Sequence, residues 1–301
     1  MPSLKGIRKR IVSTKATQKI TRAMKMVAGA RLTRAQQRIV AMRPYAVKTG
    51  EVLQSVASTM NAAAESQDEP VHPLLAVRPE GSALYVVLTA DRGLCGALNT
   101  NANKATERAW REKEAAGVSV AFITLGRKGR EYLARRGGKV AHDFPRIYDG
   151  LDLEKAKLVA GWIVPRFQKA QFDSVYLVFN EFKSAMTQKV VIDRLLPLSE
   201  SDGGDRGPAN AASAPADFIY EPSQRALLER LVPMYVEISI YRALLESQAS
   251  FFGAQMTAMD AATRNAKEMI ARLTLDYNRA RQAGITKELM EIVGGAEALK
   301  E

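Results

Sequence analysis

Apolar residues recur every three or four positions at both ends of the chain, and in short unbroken or alternating runs in its middle. Between residues 3 and 60 the stripe runs Leu4, Ile7, Ile11, then Ile20, Met24, Val27, then Leu32, Ala35, Ile39 and Met42. That period puts these side chains on one face of a helix. Pro44 is the only proline in the stretch, so residues 1–60 are expected to form one long helix, capped by Ser3 and bent near Pro44. A second stripe follows Pro222: Leu231, Met234, Ile238, Tyr241, Leu245, Gln248, Phe252, Met256, Met259, Thr263, Ala266, Ile270, Leu273, Tyr277 and Ala280. Its one irregularity, a 4-4 step around Phe252, is a stutter that relaxes a supercoil without ending the helix. Residues 222–301 are therefore expected to be a second long helix, kinked in its first turns by Pro233 and capped at its end by Gly294 and Gly295.

The middle has a different texture. A proline-rich linker occupies residues 61–81, and β-branched runs follow at 83–89, 118–125, 174–180 and 187–196. Helix-like stretches at 98–115, 127–135 and 152–170 separate them, an alternation that predicts a mostly parallel sheet with helical crossovers over residues 82–198. Residues 199–221 comprise a mobile loop, SESDGGDRGPANAASAPAD, too poor in apolar groups to pack, and a short foot containing Tyr220 and Glu221. Because the α/β domain emits one long helix and receives the other, the two should pair antiparallel. Gln248, Thr263, Ala266 and Ala280 are small or polar where Leu or Ile would bind best, so the coiled coil is a thin one.

The net charge of +12 belongs to one place. Residues 1–50 hold thirteen Lys and Arg and no acid, while outside them 31 basic residues face 32 acidic ones. The first helix thus needs an acidic partner. Nucleic acid is one such partner, with a basic coiled-coil arm binding phosphate. A mitochondrial presequence is another reading of an Arg-rich, acid-poor start, but the coil pattern runs on beyond the length that processing removes. An acidic protein collar explains both the charged face and the apolar stripe.

Candidate chemistry is sparse. No GxxxxGK[ST] or GxGxxG loop occurs, and no cofactor is expected. The one glycine cluster, Asp91 to Asn99 (DRGLCGALN), follows the first strand, where doubly wound sheets bind ligands, so a ligand site or a tight surface turn both fit it. His72 and His142 lack neighbours at metal-ligand spacing. Cys95 beside Arg92 could have a lowered thiol pKa, but no His and acid pair accompanies it, and a lone cysteine makes no internal disulfide. The start MPSLKGIRKR lacks the apolar segment of a secretory signal, and no apolar run reaches membrane-spanning length. A reducing compartment such as a bacterial cytoplasm fits.

Three segments, in order, carry a resemblance to a known family. Gln18 to Ala28 (QKITRAMKMVA), Thr89 to Asn99 (TADRGLCGALN) and Met259 to Leu299 (with AMDAATRNA and DYNRARQAGITKELMEIVGGAEAL) resemble the γ subunit of rotary F-type ATP synthases. The resemblance implies a Rossmann-like central domain carried on the antiparallel coil. The coil would lie inside a hexamer of three α and three β subunits, and the foot would meet the ε subunit and the membrane ring. It implies a rotor shaft that couples proton flow to ATP synthesis or hydrolysis and is not itself catalytic. The expected place is the cytoplasmic face of a bacterial inner membrane, held peripherally through the complex. By residue, it implies rotor-stator contacts at Met24, Lys25, Arg92, Cys95, Arg281, Gln282 and Thr286, and foot contacts at Tyr220 and Glu221. One segment departs from the family pattern: Ser250-Phe251-Phe252-Gly253-Ala254-Gln255-Met256 has Gln255 where an arginine is common.

Overall fold

The computed structural model describes residues 3–63, 72–198 and 223–298. Their contacts divide into two compact units: Ala30–Ala254, and Met1–Gly29 together with Gln255–Glu301. The elements are α1 (Leu4–Ala63), a 3-10 turn (Pro73–Leu75), β1 (Ser82–Leu88), α2 (Leu98–Ala115), β2 (Ser119–Leu125), α3 (Arg127–Arg135), β3 (Val140–Phe144), α4 (Leu153–Gln168), β4 (Ser174–Phe182), β5 (Gln188–Leu196) and α5 (Gln224–Ala298).

In the larger unit the strands line up as β3-β2-β1-β4-β5. β1 pairs parallel with β2 and β4, and β2 with β3, whereas β5 closes the edge antiparallel to β4. Side chains of a strand alternate between faces, and both faces here are covered, which is why β1 and β2 read as continuous apolar runs. On one face Leu84, Val86, Leu88, Ile123 and Leu177 meet Val159, Ile163 and Phe167 of α4 and Val232, Val236, Ile240 and Leu244 of α5. On the other, Tyr85, Val87 and Phe122 meet Trp110 of α2 and Leu133 of α3. Trp110 and Phe122 are edge to face at 5.2 Å.

Several expectations change. β3 escaped notice because VAHDF is short, polar and at an edge, with only intermediate or exposed positions. Within the linker, Leu74 is fully buried in the main core and its turn is capped by His72, whose Nδ1 accepts from Leu74 N at 3.1 Å. α5 does not stop at Gly294 and Gly295 but continues to Ala298. The first half of α5 buries a second face, Val232, Val236, Ile240 and Leu244, that a single stripe does not contain. Loop residues 199–217 and the foot residues Tyr220 and Glu221 lie outside the described residues.

The turn leaving β2 fixes the sheet's upper edge. Gly126 sits at φ +111, and a Cβ there would lie 2.0 Å from the Thr89 carbonyl oxygen. Thr89 Oγ1 in turn accepts from Gly129 N at 2.8 Å. Gly117, at φ +81, faces open space. Replacing Gly117 by Ala should therefore cost about 1 kcal/mol of backbone strain, and Gly126→Ala several times that. Denaturant unfolding of the two variants checks this; equal losses would contradict the close approach.

Candidate functional site

The smaller unit is a two-helix coil. Its contacts run Leu4 to Gly284, Thr14 to Met269, Thr21 to Thr263, Lys25 to Asp260 and Gly29 to Met256, so one helix ascends as the other descends. Ile7 and Met259 are buried in this unit, but along its middle the seam turns small and polar: Thr21 and Thr263 share a hydrogen bond of 2.8 Å between hydroxyls, and Ala28 and Ala266 are buried. Such residues bring backbones close but bury little apolar area, so the pair is held weakly per turn.

This seam corrects the sequence stripe. Ile20 and Val27 are not in it; they stand 59% and 52% exposed, and their neighbours Thr21 and Ala28 take the inner positions. The signal was present: on α5 the facing residues are Thr263 and Ala266, which match small partners rather than Ile or Val. Displayed outward beside Ile20 and Val27 is Met26, and near the end of α5 Ile285, Leu289 and Ile292 are also exposed. These apolar groups lie among charge. Twelve of the thirteen Lys and Arg of residues 1–50 are exposed, Lys25 being the half-buried exception. The surface of α1 is therefore a positive field interrupted by apolar spots, a pattern suited to a partner that is acidic and partly apolar.

The residues expected to touch a stator are not equivalent. Met24 is half-buried at the flank of the seam. Lys25 is engaged within the chain: its Nζ donates to Asp260 Oδ1 at 2.5 Å, with Arg264 at 3.5 Å from the other carboxylate oxygen. Arg281, Gln282 and Thr286 are all exposed. Gln282 and Thr286 are one turn apart, and each is two residues from the half-buried Gly284, hence about 200° away from the seam. They form one outward polar face with Arg281 beside it.

In the larger unit, the loop between β1 and α2 occupies the switch point, since the chain goes from β1 to β2 and β3 on one side and returns to β4 on the other. The loop is tied down from within. Asn99 Oδ1 accepts from Ala90 N at 3.0 Å, its Nδ2 donates to the Arg92 carbonyl at 3.3 Å, and Asp91 Oδ1 accepts from Arg127 N at 2.9 Å. Arg92 is exposed, as expected. Cys95 is not: it is 2% exposed, packed with Leu98, Ala254 and Phe251. Burial raises its thiol pKa rather than lowering it, so both the surface contact and the reactive thiol are set aside for this side chain. The group the loop displays is Leu94, 61% exposed at φ 63, a left-handed conformation that side chains rarely adopt. Beneath this loop Phe251 and Ala254 of α5 pack against Cys95 and Leu98. His142, exposed on edge strand β3, stacks on Trp162 at 5.5 Å, and no cluster of three metal-ligating side chains occurs among the described residues. Among the described residues no helix is long and apolar enough to cross a membrane.

Comparison with known proteins accounts for this arrangement. A family model described as ATP synthase matches residues 3–299. The ATP synthase gamma chain of Sorangium cellulosum (strain So ce56) is 55% identical over an alignment of 323 residues that covers the whole of both chains. This chain belongs to the ATP synthase gamma-chain family. The family member of Geobacter metallireducens (strain ATCC 53774 / DSM 7210 / GS-15) is 48% identical, again with both chains fully covered. Among solved structures, the central stalk/c-ring of the Tetrahymena thermophila mitochondrial ATP synthase matches at 26% identity and TM-score 0.60, over 81% of this chain and 99% of that one. A chain of the Euglena gracilis OSCP/F1/c-ring assembly shares the fold at 20% identity and TM-score 0.65, over 98% of this chain and 94% of that one.

Asp260 offers a check on the gamma-chain coil. The Lys25 hydrogen bond holds its carboxyl below the usual carboxylate range. A carboxylate with a lowered folded pKa stabilises the fold above its unfolded value, about 4, and that contribution disappears as pH falls through the folded value. Asp260→Asn should lower the melting temperature at pH 7 and leave it unchanged at a pH below the folded value. A difference that persists in acid would mean the ion pair is not its source.

Proposed function

We propose that the chain is the rotor shaft of an F-type ATP synthase, coupling proton flow through a membrane ring to ATP synthesis, or hydrolysis, on the β subunits. The observation that carries this reading is the match along the whole chain, at up to 55% identity, to ATP synthase gamma chains. The outward chemistry supports it. A thin coil whose basic surface carries isolated apolar groups suits an acidic sleeve that must let it turn, because small contacts are released at each step while the field keeps the rod centred. The catalytic nucleotides belong to the α and β subunits, and the chain is a non-catalytic part of the complex. Its partners are three α and three β subunits, the ε subunit and the membrane ring, and it rests peripherally at the cytoplasmic face of a bacterial inner membrane. The relatives described above are ATP synthase gamma chains, and an acidic protein sleeve accounts for the basic helix without a nucleic-acid partner.

Within this reading the contact set is Met24, Arg92, Arg281, Gln282 and Thr286, with Leu94 in place of Cys95. Lys25 acts through its pairing with Asp260, which exchanges for a stator carboxylate as the shaft turns. Tyr220 and Glu221 form the foot. Gln282 and Thr286 can make and break charge-assisted hydrogen bonds with an acidic loop, as a latch requires.

Two measurements test this. Adding the chain to α and β subunits should stimulate their ATP hydrolysis, and a stable hexamer indifferent to it would refute the shaft. Gln282→Ala with Thr286→Ala should lower turnover of the reconstituted complex about tenfold, the worth of one or two charge-assisted bonds, without lowering its melting temperature. Unchanged turnover would make the pair an inert helix surface.

A further inference from the structure

The segment that departs from the family pattern has a structural meaning of its own. Successive helix residues point about 100° apart, so Phe251, Phe252 and Gly253 address three sides of α5. Phe251 packs against Cys95 and Leu98 beneath the loop that displays Leu94. Phe252 lies under the Arg31 guanidinium of α1, 5.9 Å from its ring centre. Gly253 admits the β4–β5 hairpin: a Cβ there would stand 3.1 Å from the Phe182 ring and 3.3 Å from the Ala185 Cα. The same hairpin is tied to the preceding turns of α5, since Phe182 N donates to Glu246 Oε2 at 2.9 Å and Ser250 Oγ donates to the Asn180 carbonyl at 2.8 Å. The helix is gripped from three directions by three different elements within its last turn in the larger unit, which ends at Ala254.

We propose that residues 250–254 of α5 are a torsional clamp that makes the α/β domain and the long helix turn as one body under load. The proposal rests on the shaft reading. Contacts on three azimuths resist rotation of the helix about its own axis where a single stripe would let it roll. Phe251 and Phe252 supply the pads and Gly253 the close approach, so they are positioning residues for rotary coupling rather than ligands of any subunit.

The experiment uses the whole complex reconstituted in vesicles, with Phe251→Ala and Gly253→Leu compared with wild type. Leucine is a better helix former than glycine, so the second variant wedges the hairpin away without weakening the helix itself. ATP hydrolysis in uncoupled vesicles, where the shaft turns without load, should stay within about twofold of wild type, while ATP synthesis against an imposed proton gradient and protons pumped per ATP should fall about fivefold. Leu133→Ala, which removes core packing on the opposite face of the sheet, should lower the melting temperature without changing that ratio. Should Gly253→Leu not assemble, Gly253→Ala, which adds one methyl 3.1 Å from the Phe182 ring and 3.3 Å from the Ala185 Cα, should show a smaller loss in the same direction. Loss of hydrolysis and synthesis in proportion, or coupling equal to wild type, would overturn the clamp. A wild-type complex that neither pumps nor synthesises would instead overturn the shaft reading beneath it.

Discussion

The packing of α5 on the sheet is the interaction on which the other features depend. Val232, Val236, Ile240 and Leu244 cover the face that a doubly wound sheet must bury somewhere. In most such sheets short crossover helices do this, and they end with the sheet. Here the covering helix is 75 residues long, and its residues from Gln255 onward belong to the smaller unit. The covering helix also packs Phe251 and Ala254 against Cys95 and Leu98 beneath the loop at the switch point.

Beyond that grip the physics changes from burial to restraint. A coil built for strength would place Leu and Ile along its whole seam; this one buries Ile7 and Met259 but places Thr21, Thr263, Ala28 and Ala266 between and beside them and turns Ile20 and Val27 outward. The arrangement sacrifices pairing stability and gains a narrow rod with an outward set of basic and apolar contacts. A rotor inside a sleeve needs that distribution, because strong contacts with one stator position would hold it there.

Much of this was legible in the residues. The long helices declared themselves by period, β1, β2 and β4 by β-branched runs, and the acid-free first fifty residues by charge. What escaped followed from tertiary context. Seam and surface on α1 differ by a shift of one residue, and the more hydrophobic choice, Ile20 over Thr21, was the outward one. β3 is too short and polar to stand out from its neighbours. Gly294 and Gly295 resemble a cap, yet the α-helix carries on through them to Ala298. At the candidate site the motif around Cys95 was visible, but which of its side chains faces out depends on the left-handed backbone at Leu94, which no residue pattern announces.

The central claim is that this chain turns. The most direct measurement fixes the α and β hexamer to a surface, attaches an optical probe to the α/β domain and records its angle while ATP is hydrolysed. Rotation in one direction with three stops per turn, at the rate of hydrolysis, is the predicted result. Hydrolysis that proceeds while the probe stays still, or wanders in both directions, would contradict the account.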